Sequence, residues 1–308
     1  MILQNIIDRP DWVIGNQSTL VDLSNNVCFD HILANDIRKS MMNMDPSYVI
    51  NYANEFDIYK TIGDYYNIDR KLFSIGVGST EILNRICFSF SGKKIKILTP
   101  TFDMVKVYAR INNISTEEVK YSNFNNVSIE TLIGSDILYI ANPNGNNGHS
   151  FTKDEVEYLV RNNNFVILDE CYIDYSVCGS LIELTEKYRN MCILRSFSKS
   201  LGCAGIRCGF CYSTNEEFIK VIQSNRINHI ACGITNYILQ NHIHDINSTV
   251  SRMLDAKRYL CNRFNVLNIN GNFICIREKL DEFNWCKTKK VDDYIRITLT
   301  NVDIFEKK

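Results

Sequence analysis

The sequence predicts an α/β fold built on a largely parallel sheet. Two observations carry this. Short β-branched apolar runs in the middle of the chain are continuous rather than alternating, the pattern of strands covered on both faces. Each run stops abruptly in a polar or glycine-rich turn, and helix-like stretches lie between the runs, so strand and helix alternate with short connections.

Taken in order, "KIKIL" runs into "TPTF" at 99–102, and "DILYIA" runs into "NPNGNNG" at 142–148. The helix expected next, over 152–163, has Thr152 as N-cap, Glu155 three residues on, and apolar Val156, Leu159 and Val160. "FVIL" then runs into "DECY" at 169–172, and "MCIL" into "RSFSKS" at 195–200. "CGFC" at 208–211 has strand character. Two further strand candidates, "NGNFICIRE" and "DDYIRITLT", lie near the end of the chain, punctuated by Asn-Gly and Asp-Asp. The expected division is an N-terminal arm and part of a small domain over 1–42, a large domain over 43–240, and the rest of the small domain over 241–308.

Bulk properties narrow the function. The 308 residues carry 22% charged side chains and a formal net charge of -1, so no basic field draws nucleic acid. Short basic runs such as Lys93-Lys94 and Lys289-Lys290 read as solvated surface. No apolar run spans a bilayer and the N-terminus does not resemble a secretory signal. Twelve cysteines are scattered, several in apolar runs, and read as reduced fillers of a cytoplasmic protein. Cys208 and Cys211 form a Cys-x-x-Cys without the second pair that a zinc site needs. His242 and His244 have no third ligand in view.

Ligands of open α/β sheets gather at the carboxyl ends of the strands. Thr101, Phe102, Asn142, Asn144, Asp169, Tyr172, Ser198 and Lys199 all fall at such ends, and one crevice is expected to collect them. Asp169 follows four apolar residues, where a carboxylate needs a cation or a donor; a helix cap or a surface ion pair would also explain it. Lys199 lies among small residues, and in such a setting a lysine becomes nucleophilic toward carbonyls. "IGVGSTEIL" at 75–83 lets the backbone approach a ligand at Gly76 and Gly78. It then opens a helix with Ser79, Thr80 and Glu81, an anion-binding arrangement that an ordinary strand-to-helix turn also produces. It matches neither the dinucleotide fingerprint nor a Walker loop.

"SFSKSLGCAGIRCGF" resembles the lysine signature of the class I/II, fold type I, pyridoxal-phosphate aminotransferases, and in particular the histidinol-phosphate aminotransferases and threonine-phosphate decarboxylases. The likeness continues through "VGSTEIL", "TPTFDM", "ILDECYIDY" and "YIRITL" in that family's order, over roughly residues 20–300. It implies a large domain with a mostly parallel sheet flanked by helices, a small α/β domain formed by the two chain ends, and pyridoxal 5'-phosphate as cofactor. Lys199 would bond the cofactor aldehyde. Ser196, Ser198 and Arg207, with Gly78 and the amides of Ser79 and Thr80, would take its phosphate. Asp169 would pair with the ring nitrogen, Tyr172 would bond the ring oxygen and Phe102 would stack on the ring. Arg296 would hold a substrate carboxylate. Tyr52 would reach the phosphate of a neighbouring subunit, which implies a homodimer.

The chain departs from that pattern at "NPNGNNG". Gly145 stands where the family has the asparagine that touches the ring oxygen, so Asn144 or Asn146 substitutes, or Tyr172 acts alone. A second basic residue for a substrate anion has no evident counterpart. The implied activity is amino transfer between a donor such as L-glutamate and a small phosphorylated or dicarboxylic compound. Decarboxylation of an O-phospho amino acid is the alternative, and a non-catalytic cofactor-binding regulatory module the third.

Overall fold

The computed structural model describes residues 21–28, 31–50, 56–223, 227–277 and 281–299. After the short strand β1 (Val21–Asp22), the chain builds its main sheet from β2 (Phe73–Gly76), β3 (Lys94–Thr99), β4 (Ser115–Lys120), β5 (Ile137–Ala141), β6 (Val166–Asp169), β7 (Met191–Ser196) and β8 (Gly209–Tyr212). The seven strands lie in the order β2-β8-β7-β6-β5-β3-β4. The neighbours from β4 through β7 pair in parallel, and β8 runs antiparallel to both β7 and β2.

Every residue of β2, β5, β6 and β8 is buried, as continuous apolarity requires. Helices cover both faces. On one, Ile82, Leu83 and Ile86 of helix Gly78–Ser89 pack with Val105, Ile97, Tyr139, Ile167 and Leu194. On the other, Val156, Leu159 and Val160 of helix Lys153–Arg161 pack with Leu138, Ile140, Leu168 and Ile193. Fully burying each such aliphatic side chain contributes about 1.5–3 kcal/mol relative to exposure. Helix Lys153–Arg161 starts at the expected capping box: Glu155 N donates to Thr152 Oγ1 at 3.3 Å and Thr152 N to Glu155 Oε2 at 2.7 Å. β4, "STEEVK", is the strand that the apolar runs do not announce. It lies at the sheet edge with four of its six residues exposed, so few apolar side chains are needed there.

The first described residues meet the last described strands. A second sheet has the order β11-β12-β9, from β9 (Phe273–Ile276), β11 (Lys289–Val291) and β12 (Tyr294–Thr298), and β10 (Cys286–Lys287) pairs in parallel with β1. Thr298 N donates to Leu23 O at 2.8 Å, which stitches the N-terminal segment to β12. Among the described residues no helix is long and apolar enough to cross a membrane, and no group of three or more His, Cys, Asp and Glu side chains is placed to hold a metal ion. Cys208 and Cys211 are buried free thiols, and His242 Nδ1 bonds Asp245 Oδ2 at 3.0 Å.

Candidate active site

The carboxyl ends of β5, β6 and β7, with the turn after β2, open on one cavity of about 340 Å³. Of the residues expected to converge, Thr101, Phe102, Asp169, Tyr172, Ser198 and Lys199 line it, together with Ser79, Thr80, Ser196, Arg207 and Arg296. Tyr52 lies outside the described residues.

One wall is an anion cup. β7 ends at Ser196, Phe197 plugs the core, and the chain then turns so that Ser198 and Lys199 face the cavity. Arg207 sits in the left-handed region at φ 63, and its Nη1 donates to Ser198 Oγ at 3.1 Å and Ala204 O at 2.9 Å. Gly78 makes room for that guanidinium: a Cβ there would stand 2.6 Å from Arg207 Nη2, and its φ of +73 also favours glycine. Gly78 itself is not among the residues lining the cavity. Helix Gly78–Ser89 begins here without a side-chain cap, so its first amides face the cup.

A second wall carries the acid. Asp169 closes β6 and is buried. Its Oδ2 accepts from the Tyr139 hydroxyl at 2.7 Å and its Oδ1 from Cys171 N at 2.9 Å. Neither donor is a cation, and among the described residues the carboxylate has no ion pair. Immediately behind, the buried Glu170 pairs with Arg195 at 3.1 Å, and this ties the strand of the acid to the strand that leads to the lysine.

The third wall is assembled from distant segments. Tyr172 leans on the "NPNGNNG" turn, where a Cβ on Gly145 would come within 2.4 Å of its ring. Lys199 Nζ lies 4.8 Å from the centre of the same ring and 3.4 Å from Asn26 O. Burial raises the pKa of the Tyr172 phenol, but the charges of Lys199 and Arg296 and a bond from Asn26 outweigh it, and the net direction is down. Arg296 is buried. Its Nη1 donates to Gly145 O at 2.6 Å and Asn146 Oδ1 at 3.0 Å, its Nη2 bonds Ser24 O, and its Nε has no partner among the described residues.

Two sequence-based expectations change. Asn144 does not reach the cavity: its Nδ2 donates to Pro100 O at 2.9 Å and Tyr121 Oη at 3.2 Å, and its Oδ1 accepts from Asn146 N. It builds the turn, and Asn146 is the asparagine on the cavity wall. Asn142 likewise faces away, accepting from Phe151 N at 2.9 Å. The second change concerns Lys289, taken from sequence as surface. It lies opposite Arg296 in the β11–β12 ladder and lines the same cavity, with Nζ 3.9 Å from Asp103 Oδ2. Burial, and then the neighbouring Arg296, hold its pKa below the ordinary lysine range. The readable signal was the hairpin: "KKVDDYIR" closes on Asp-Asp and puts the two cations in register.

A cationic hydroxyl-rich cup, a fixed carboxylate and an amine around one cavity form the donor set for a molecule with a phosphate, a basic ring nitrogen and an aldehyde. Those are the groups of pyridoxal phosphate, and the residues present fit it. Arg296, with its Nε unpartnered among the described residues, and Lys289 add two further cations to the same cavity.

Comparison with known proteins agrees. The family model "Aminotransferase class I and II" matches residues 24–292. A histidinol-phosphate aminotransferase of Brachyspira hyodysenteriae is 30% identical over 308 residues, covering 88% of this chain and 86% of its own. Among solved structures, the histidinol-phosphate aminotransferase of Sinorhizobium meliloti in complex with pyridoxal-5'-phosphate superposes with TM-score 0.79 at 14% identity, covering 97% of this chain and 95% of its own. The L-threonine-O-3-phosphate decarboxylase of Porphyromonas gingivalis gives 0.77 at 17%, covering 93% and 96%. The two structures speak to the fold; the family match extends to the chemistry. A chain with this sheet, this lysine wall and a match over nearly its whole length belongs to the class I and II aminotransferases, enzymes that work with pyridoxal phosphate.

Proposed function

We propose that the enzyme moves an amino group between L-glutamate and a small phosphorylated keto or amino compound. The observation that carries this is the placement of Lys199 in one cavity with the Asp169 carboxylate, the Arg207 cup, and two further cations, Arg296 and Lys289. The phosphorylated substrate is supported by the name of the Brachyspira relative, a histidinol-phosphate aminotransferase, and by the cations left over once the cup is filled.

When bound, pyridoxal phosphate supplies an aldehyde for the substrate amine and a ring that withdraws electrons from the adjacent carbon. Ser196, Ser198, Arg207 and the amides of Ser79 and Thr80 would hold its phosphate, with Gly78 giving Arg207 its space. Asp169 would keep the ring nitrogen protonated, aimed by Tyr139 and the Cys171 amide. Phe102 would cover the ring face and Tyr172 would donate to the ring oxygen. Asn146 rather than Asn144 is the turn asparagine on the cavity wall, with its amide engaged by Thr101 O and Arg296. Lys199 would hold the aldehyde in the resting enzyme, and its free amine would serve as the base that takes the proton of the substrate α-carbon. Arg296 would grip a carboxylate or phosphate by a two-point fork, and Lys289 would add a point charge beside it.

Carbon dioxide release from an O-phospho amino acid is the second reading, supported by the Porphyromonas decarboxylase that shares the fold. The two differ in where the Arg296–Lys289 pair holds the carboxylate. Residues 43–240 would form the cofactor-binding domain, with 1–42 and 241–308 forming the small one. We also propose a cytoplasmic homodimer. The exposed Met41, Met42, Val49 and Ile50, directly ahead of Tyr52, support the second subunit, and twelve free thiols support a reducing compartment.

Borohydride treatment of the protein loaded with pyridoxal phosphate tests the reading. A stable mass increase on Lys199 is expected, absent in Lys199→Ala, whose kcat falls by roughly 10⁴-fold. L-Glutamate should bleach the visible band and release 2-oxoglutarate. A tag on another lysine refutes the site, and carbon dioxide from a phospho-amino acid with no response to glutamate moves the assignment to the decarboxylase.

A further inference from the structure

Asn26 lies on no motif that points to chemistry, yet it is fully buried at the third wall with its side-chain and main-chain polar atoms in use. Its Nδ2 donates to Tyr172 Oη and to Gly145 O, both at 3.1 Å. Its Oδ1 accepts from Thr298 Oγ1 at 3.2 Å, and its main-chain N donates to the same hydroxyl at 2.9 Å. Its main-chain O accepts from Lys199 Nζ at 3.4 Å and Asn272 Nδ2 at 3.1 Å. The amide orientation follows from its partners, because the Gly145 carbonyl only accepts. The backbone is left-handed at φ 51, a conformation that asparagine tolerates better than most residues.

We propose that Asn26 is a positioning residue that aims the Tyr172 hydroxyl and holds the Lys199 amine. At position 145 the turn has no side chain for this task, since Gly145 must stay a glycine for the Tyr172 ring to fit. The amide arrives instead from the N-terminal segment. By donating to the phenol oxygen it directs the phenol's own proton into the cavity, and its carbonyl holds the amine over the same ring. This rests on the roles given above to Tyr172 and Lys199. It adds a third residue that touches neither substrate nor cofactor.

Asn26→Gly tests it. Glycine keeps the left-handed backbone and the carbonyl, and only the amide side chain is lost. The readout is the pH midpoint of the visible absorbance of bound pyridoxal phosphate. A weaker Tyr172 donor leaves the ring oxygen less stabilised as an anion, so the protonated form persists to higher pH. The midpoint is expected to rise by about one pH unit, with Lys199 still tagged by borohydride. In a Tyr172→Phe background Asn26→Gly should shift nothing further. Thr298→Val, which removes only the hydroxyl that orients the amide, should give a smaller rise. An unmoved midpoint in both Asn26→Gly and Thr298→Val, with Lys199 tagged, overturns this proposal alone. Equal shifts with and without Tyr172 also overturn it. Absence of the Lys199 tag in the unsubstituted protein overturns the underlying site, and this proposal with it.

Discussion

The anion cup and the wall opposite it are built in different ways. The cup is nearly all local: Ser196, Ser198 and Arg207 fall within twelve residues of one turn, and only the Gly78 helix joins from elsewhere. The opposite wall joins Asn26, the 142–148 turn, Tyr172, Lys289 and Arg296, and one of its bonds closes a separation of 272 residues. A local cup depends on a few turn residues. A wall made of remote pieces depends on every strand arriving in register.

The sharpest way to break this contrast is at the cup. Arg207→Ala should weaken pyridoxal phosphate binding by about 100-fold, read as a Kd, because charge-assisted bonds to a phosphate are lost. Discrimination among substrates should be unchanged. If binding holds and substrate preference moves instead, the two walls have been assigned the wrong way round.

A smaller effect is expected across the cavity. Lys289→Met should raise KM for a phosphorylated substrate about tenfold and leave cofactor binding alone. The sign with pH follows from the depressed pKa of Lys289. In the parent enzyme KM rises as pH climbs through that value and the cation is lost, below the pH where an ordinary lysine discharges. Lys289→Arg should remove that rise, since a guanidinium stays charged. A flat parent profile would take Lys289 out of the substrate site.

The smallest effect serves as a control in a region fixed by its own few residues. Thr152→Ala removes the capping box of helix Lys153–Arg161, and Thr152 does not line the cavity. It should cost about 1 kcal/mol, seen as a fall of roughly 2 °C in Tm, with kcat and KM unchanged.

The same contrast explains how much was legible beforehand. The parallel core strands, the capping box and the cup could be read because each is written in consecutive residues: an apolar run, a Thr-x-x-Glu, a lysine among glycines and serines. Asn144 and Asn146 stay alternatives in the sequence because spacing along a turn does not say which amide points inward; in the fold Asn144 spends its own on Pro100 and Tyr121. Lys289 was missed because a basic pair reads as surface until a partner strand shows which of the two faces in. Asn26 carried no signal, since its importance lies wholly in groups that approach it from Gly145, Tyr172, Lys199, Asn272 and Thr298. β4 was overlooked for the opposite reason, being an edge strand that buries little.

The pairing of the first described strand with the last segments has a bearing on biosynthesis. A ribosome releases the cup and its lysine well before Thr298 leaves the exit tunnel, and until the last strands emerge β1 lacks its partner β10 and Asn26 lacks its bonds to Thr298. A growing polypeptide therefore holds every residue of the cup before it holds the strands that complete the opposite wall. Chains halted upstream of Tyr294 would emerge with Lys199 and Arg207 but without Arg296 and Thr298.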